Sequence, residues 1–297
     1  NRKSYMTGTF DLLSLKDIED IHCPKHVHGL MHVKHIVVDN LQQLHKDNPN
    51  SLFQVASQFN CLEFPNSHTI PEHGIEQYSN DHTQGPTASI ACLPGTIFRN
   101  YYIHGVGQSQ YNQINNLSHI ETKLNNKKHK FFNVKNGYVF SSIESLEKLN
   151  SCLNNMPDLV NNLEKLLYVG IQEHTECVYK GVTNDRVIVR AQMFCSAISC
   201  AYSRINNIYW EPFARLILRA TYKCCLLYAV KNNIKNVYLT FVGGGVFGNN
   251  ADWITDAICD AINKVKHCDI TINICHYKYI NKELKDSISD KLLNMTI

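Results

Sequence analysis

No run of apolar residues in this chain approaches the ~18–20 that a membrane-spanning helix needs, which sets aside a transmembrane protein. Cationic excess is also missing. Lys and Arg number 29 against 26 Asp and Glu, a formal charge of +3 without a basic stripe, so neither nucleic acid nor an anionic membrane surface is implied as a partner. The lysines between Lys123 and Lys130 read as a solvated loop. No secretory signal precedes the 12 cysteines, and Cys195, Cys200, Cys224, Cys225, Cys259 and Cys275 sit inside apolar runs. That is the pattern of reduced, buried thiols in a cytoplasmic protein, not of a disulfide framework. Between His22 and His35 five histidines and Cys23 invite a zinc reading. Pro24 and Gly29 break that segment, however, and Val33–Val38 is strand-like, so a surface histidine cluster is expected and no metal or cofactor is assigned. Internal repeats and convincing linkers are absent too. With 44% hydrophobic residues, the 297 residues are expected to form one domain, its core at about 52–275, with an N-terminal extension 1–51 and a C-terminal tail 276–297.

What is present is concentrated late in the chain. The segment Val237–Ile262, VYLTFVGGGVFGNNADWITDAICDAI, passes from a β-branched and aromatic run through Gly243, Gly244, Gly245, Val246, Phe247 and Gly248. It ends in a helical pattern with apolar Trp253, Ile254, Ala257, Ile258, Ala261 and Ile262. Strand, glycine loop and helix together offer an anion free N–H groups and close backbone approach, with Asn249, Asn250 or Asp252 as helix cap. Three consecutive glycines exceed the needs of a tight turn, and a positive φ is expected at Gly244. The alternative is a turn that only packs the helix on the strand. The spacing of Gly243, Gly245 and Gly248 fits a dinucleotide-binding fingerprint, yet only about 50 residues follow, and Asp269 opens a strand where that fold needs an acid at a strand end. A Gly-Lys-Ser/Thr is missing, which excludes the phosphate-binding P-loop. Because no lysine or arginine lies between Lys235 and Lys264, a phosphate here must be held by main-chain N–H groups and the helix dipole.

Upstream, a short helix is expected from Ser14 and another over Asp39–Lys46. Leu52–Phe59 reads as a buried strand, with Asn60 and Glu63 just beyond its end, where open α/β sheets place ligand groups. A long polar loop from Asn66 follows and runs into Asp81–His82–Thr83–Gln84–Gly85–Pro86. This predicts a second helix N-terminus, before Thr87–Leu93, that approaches an anion closely. Gly95–Gln108 is rich in aromatics suited to stacking on a base or to core packing. Asn136–Gly137 predicts a hairpin between Phe131–Val134 and Tyr138–Phe140. Helices are expected at Ile143–Leu153, Asp158–Leu166 and Glu211–Val230, the last with Pro212 in its first turn. Strands are expected at Leu167–Glu173, Arg186–Phe194 and Asp269–Cys275. The β-α-β-α-β order in this half predicts an α/β fold, a parallel sheet with helices on both faces. Ser196 and Tyr202, in the loop Cys195–Ser203, are expected at the same edge as the glycines.

A strand followed by an asparagine, a glycine-bearing loop leading into a helix, and a late strand running into GGGVFGN resemble the macrodomain superfamily, in particular its divergent branch that includes the poly(ADP-ribose) glycohydrolases. The segments LFQVASQFNCLEFP, HTQGPTASIACLPGT, QMFCSAISCAYS and LTFVGGGVFGN also resemble an uncharacterised family of bacteria and protists. The resemblance implies a three-layer α/β/α fold with a mostly parallel mixed sheet, whose crevice holds ADP-ribose. Asn60 then matches the asparagine on the distal ribose, Gly243–Gly248 the diphosphate loop, and Phe247 the aromatic beside the ribose. Two marks of the family are missing: the Asn-Ala-Ala-Asn start, and the triple glycine followed by paired glutamates. Glu63 is the carboxylate in a comparable place, with Asp81 and His82 as alternates.

The expected function is binding of ADP-ribose or a related nucleotide diphosphate, free or on a modified protein, with hydrolysis of ADP-ribosyl linkages if Glu63 serves the anomeric carbon. The alternatives are a reader module that binds without chemistry and a different hydrolase, built on Cys195, Ser196 and a histidine. The last lacks a G-x-S-x-G elbow and places its thiol in an apolar strand end.

Overall fold

The computed structural model describes residues 3–24, 28–178 and 186–294. Its strands are β1 (Thr9–Ser14), β2 (His32–Val37), β3 (Leu52–Ala56), the hairpin pair β4 (Asn133–Lys135) and β5 (Tyr138–Phe140), β6 (Tyr168–Cys177), β7 (Val187–Cys195), β8 (Asn236–Leu239) and β9 (Thr271–His276). Seven of them form one sheet in the order β1-β6-β7-β3-β8-β9-β2. Strands β7, β3, β8, β9 and β2 run parallel, and β6 is antiparallel to both β1 and β7.

Side-chain alternation along the strands creates two apolar faces, and each collects its own helices. Leu52, Met193, Leu239, Ile272 and Ile274 belong to the large core on one face. Phe53, Val55 and Phe194 face the other way. The helices are α1 (Leu15–Asp20), α2 (Leu41–Asp47), α3 (Gln84–Ala91), α4 (Leu93–Tyr101), the short α5 (Ser118–Lys123) and α6 (Asn126–His129), α7 (Ile143–Asn155), α8 (Pro157–Lys165), α9 (Asn207–Lys231), α10 (Ala251–Lys264) and α11 (Lys282–Asn294). On the larger face α9 packs against α1, α7, α8 and α10, and α11 packs on α10; α2, α3 and α4 cover the other face. Helix α9 buries Trp210, Phe213, Leu216, Ile217 and Leu226 almost all round, as a helix enclosed by neighbours must. The result is a three-layer α/β/α architecture. Among the described residues no helix is long and apolar enough to cross a membrane.

The two edge strands, β1 and β2, come from the segment expected as an N-terminal extension. Strand β6 is longer than expected and opposes its neighbours. Helix α9 starts at Asn207, capped by Asn206, so Pro212 lies inside the helix and not in its first turn; the carbonyl it leaves unbonded belongs to exposed Ile208. The first half of the aromatic segment at 95–108 belongs to α4, whose Tyr101 and the following Tyr102 are exposed. In the histidine-rich segment His26 lies outside the described residues; His22, Cys23, His28 and His32 are exposed. His35 pairs with His276, Nδ1 to Nε2 at 2.8 Å. Among the described residues no group of three or more His, Cys, Asp or Glu is arranged to hold a metal.

Position in the sheet sets the site. From β3 the chain travels toward β6, and from β8 toward β9, so neighbouring strands lead away in opposite directions and a crevice opens between their carboxyl ends. The two strands pair only at Leu52–Val237 and Phe53–Tyr238. Beyond that point the Gln54 Oε1 takes over, accepting from the Thr240 amide at 3.0 Å.

Candidate functional site

A cavity of about 240 Å³ lies at this divergence, between residues 56–58 and 63–65 after β3, the start of α3, Tyr138 of the hairpin, Ala197 and Tyr202 after β7, and the loop after β8. Thr83, Gln84 and Thr240 also border a second cavity of about 520 Å³, which extends toward Val38, Asp39, Phe53, Tyr238 and His276. The two are lobes of one crevice.

Glu63 reaches the first lobe because the chain after β3 curls tightly. Gln58 bonds both backbone groups of Phe64, accepting from its amide at 2.8 Å and donating to its carbonyl at 3.2 Å. The Glu63 amide donates to the Tyr78 hydroxyl at 2.7 Å. Glu63 is 8% exposed, and its Oε1 has no hydrogen-bond partner among the described residues. Burial, reinforced by the nearby Asp81 and opposed by Arg99, pushes the Glu63 carboxyl well above the usual range. Such a shift favours the protonated form, which can donate a proton. Asp81 borders the same lobe and accepts from the Thr83 amide at 2.9 Å and hydroxyl at 2.6 Å.

Gly85 explains why α3 comes so close. A Cβ there would stand 2.3 Å from the Ala56 carbonyl and 2.3 Å from the Glu63 Oε2. Gln84, expected to touch ligand, borders both lobes but has its amide committed. It accepts from the Ala56 N–H at 2.8 Å and donates to the Gln54 carbonyl at 2.8 Å, replacing a strand partner for the end of β3. The amides of Gln84 and Gly85 in the first turn of α3 have no protein partner among the described residues.

The glycine loop is held by its own turns. Gly244 N–H donates to the Phe241 carbonyl, Gly248 to Gly245, and Asn249 to Gly243. The positive φ values fall at Gly243 (77°) and Gly248 (71°), not at Gly244. At Gly243 a Cβ would also meet Ala197 at 2.5 Å, whereas at Gly245 it would meet nothing within 4 Å. The amides of Gly243, Gly245, Val246 and Phe247 are free of protein partners among the described residues. Among the described residues the lobe's lining contains no lysine or arginine, so these donors and the α3 N-terminus are its electropositive groups. Asn250 is the residue that caps α10, through the Asp252 amide. Asn249 lies outside the lining and braces the loop, donating to the Ile198 carbonyl at 2.8 Å.

Glu63, Asp81, Thr83, Gln84, Gly85, Tyr202, Gly243, Gly245, Val246 and Phe247 are thus brought together. Gly244 and Gly248 shape the loop without bordering the cavity. Asn60 and Ser196 lie outside the lining. Asn60 is fully buried, donating to Gln113 at 2.9 Å and accepting from the Leu62 amide at 3.1 Å. Ser196 is buried, with its hydroxyl turned to the Ala197 carbonyl at 3.3 Å. Cys195 is fully buried, its sulfur 3.6 Å from that of Cys225, which removes it as an accessible nucleophile. All 12 cysteines carry free thiols.

Two residues escaped the sequence reading. Tyr138 forms one side of an aromatic floor with Tyr202 and Phe247, centroids 4.9 and 5.6 Å away, and its hydroxyl donates to the Phe64 carbonyl. The Asn136–Gly137 turn signalled the hairpin, but not its docking on Gln58 and Asn60, which only a glycine at 137 permits. The other is Arg99, in a segment that reads as aromatic packing.

No protein-family model matches the chain, and no curated protein matches it. Solved structures do. The poly(ADP-ribose) glycohydrolase of Thermomonospora curvata is similar at a TM-score of 0.52 and 8% identity over 95% of this chain and 85% of that one. The glycohydrolase from Deinococcus radiodurans in complex with ADP-ribose is similar at 0.52 and 8%, over 96% and 95%, and a point mutant of that enzyme with ADP-ribose at 0.51 and 9%, over 96% and 95%. The chain has the three-layer, macrodomain-like fold of the poly(ADP-ribose) glycohydrolases.

Proposed function

We propose that the crevice binds ADP-ribose, free or on a modified protein, and that Glu63 acts as the acid that releases it. The observation that carries this reading is a buried carboxyl, one oxygen unpartnered, facing a lobe whose positive groups are backbone amides and not cations. A diphosphate suits that loop, a ribose suits the aromatic floor of Tyr138, Tyr202 and Phe247, and the larger lobe beside Phe53 and Tyr238 has room for a base. The Deinococcus radiodurans glycohydrolase, of the same fold, is described with ADP-ribose bound.

In the reaction, protonated Glu63 gives its proton to the leaving oxygen as the bond to the anomeric carbon breaks. Water adds to the oxocarbenium-like carbon, and its proton returns to the Glu63 carboxylate. Burial of Glu63, which favours its protonated form, supports the acid role. A cytoplasmic setting and a single domain over 1–297 belong to the same proposal, the free buried thiols favouring a reducing compartment.

The test is release of ADP-ribose from ADP-ribosylated protein by the parent and by Glu63→Gln. A loss of at least about 100-fold in rate with unchanged affinity for ADP-ribose is expected. Equal rates in both proteins would remove Glu63 from the chemistry. Binding without release by the parent would select the reader module.

A further inference from the structure

Arg99 is the one lysine or arginine buried completely among the described residues. It lies in the last turn of α4, and among the described residues no carboxylate forms an ion pair with it. Its fork donates to neutral acceptors: Nε to the Cys61 carbonyl at 3.3 Å, Nη1 to Gln172 at 3.4 Å and Nη2 to Thr96 at 3.1 Å. Its carbon Cζ stands 3.6 Å from the centroid of the Phe194 ring. A cation removed from water costs more than such contacts return, so its retention calls for a reason.

Two features of the loop after β3 supply one. Cys61 has a φ of 60°, a left-handed conformation that a side-chain-bearing residue keeps only when its surroundings hold it. Arg99 grips that residue's carbonyl, two positions before Glu63, and Gln108 clamps the same place by donating to the carbonyls of Asn60 and Arg99 at 3.2 Å each. The charge acts on the same carboxyl. Asp81, Tyr78, Tyr138 and Arg99 are the ionisable groups facing Glu63, and Tyr78, Cys61 and Cys92 are the others around Arg99. Burial keeps those phenols and thiols neutral. Arg99 is lowered by burial only to about 10 and stays charged.

We propose that Arg99 is a positioning residue for Glu63: its guanidinium fixes the turn that carries the carboxyl into the crevice and supplies the buried positive charge against which that carboxyl ionises between proton transfers. The proposal rests on the reading of Glu63 as the acid, and a titration separates the two. The Glu63 side-chain carboxyl is followed by carbon NMR with labelled glutamate, its signal assigned by its loss in Glu63→Gln. In Arg99→Met the midpoint should rise by about one pH unit or more. In Arg99→Lys, which keeps the charge but not the planar fork, the midpoint should stay near that of the parent while the resonance itself shifts. For hydrolysis, Arg99→Lys should lose about tenfold or more in kcat with KM within about twofold. An Arg99→Met protein that folds and titrates Glu63 at the parent's midpoint overturns the proposal. So does an Arg99→Lys protein unchanged in both resonance and kcat, which decides the matter if the methionine variant does not fold. A parent that binds ADP-ribose without releasing it refutes the acid role, and the titrations still decide Arg99.

Discussion

A carboxyl kept from water changes stability with pH, and Glu63 is such a carboxyl. Its folded-state proton affinity is raised, so between the ordinary glutamate pKa and the higher folded value the native state holds a proton that the unfolded chain has lost. Stability therefore falls as pH rises through that window, by up to about 1.4 kcal/mol per pH unit for one proton. Glu63→Gln should remove that slope, leaving the variant as stable as the parent in mild acid and more stable above neutrality, by thermal melts across pH. A variant less stable at every pH would contradict this account of the site. The glycines divide in the same way. Gly245→Ala meets open space at an ordinary φ and should leave the melting temperature within about 2 °C. Gly243→Ala, at positive φ and against Ala197, should cost about 1–3 kcal/mol in denaturant titrations. Glu63 was legible because a carboxylate just past a buried strand is a recurrent ligand position. Arg99 was not, because nothing in GTIFRNYY distinguishes a buried guanidinium from a snorkelling one.

At the scale of elements, the site depends on α3 being fastened to the end of β3 by one amide. Gln84→Ala frees the Ala56 N–H and the Gln54 carbonyl together and should destabilise by about 1–3 kcal/mol. Hydrogen exchange should show the Ala56 amide losing protection first, and protection equal to the parent's would mean that another group takes over the strand end. The β-α-β-α-β half was readable from its apolar periodicity, and the glycine loop from its composition. Strand β1 was not, since TFDLLS pairs only through β6, whose partner lies more than 150 positions away. Nor was the convergence of the hairpin on the crevice, which is a tertiary event that no local pattern records.

For the whole molecule, acid sensitivity should follow its buried imidazoles. His45 is fully buried, bonded through Nδ1 to the Leu41 carbonyl at 2.8 Å and stacked 3.9 Å from Phe53, and burial lowers it to about 4. Between about 6.5 and 4 the unfolded chain binds a proton that the native state refuses, so stability is lost as pH falls through that window, by about 3 kcal/mol from this group. His45→Gln should flatten that limb of the stability curve, and an unchanged limb would assign the acid loss elsewhere. The crevice is proposed to hold a diphosphate by backbone amides without a cation, and calorimetric titration of ADP-ribose at low and high salt tests this proposal. One site per chain, an affinity nearly independent of salt, and loss of binding in a folded Gly245→Asp are expected. Absence of binding by the parent, or an affinity that collapses with salt as a lysine-lined site would, contradicts it.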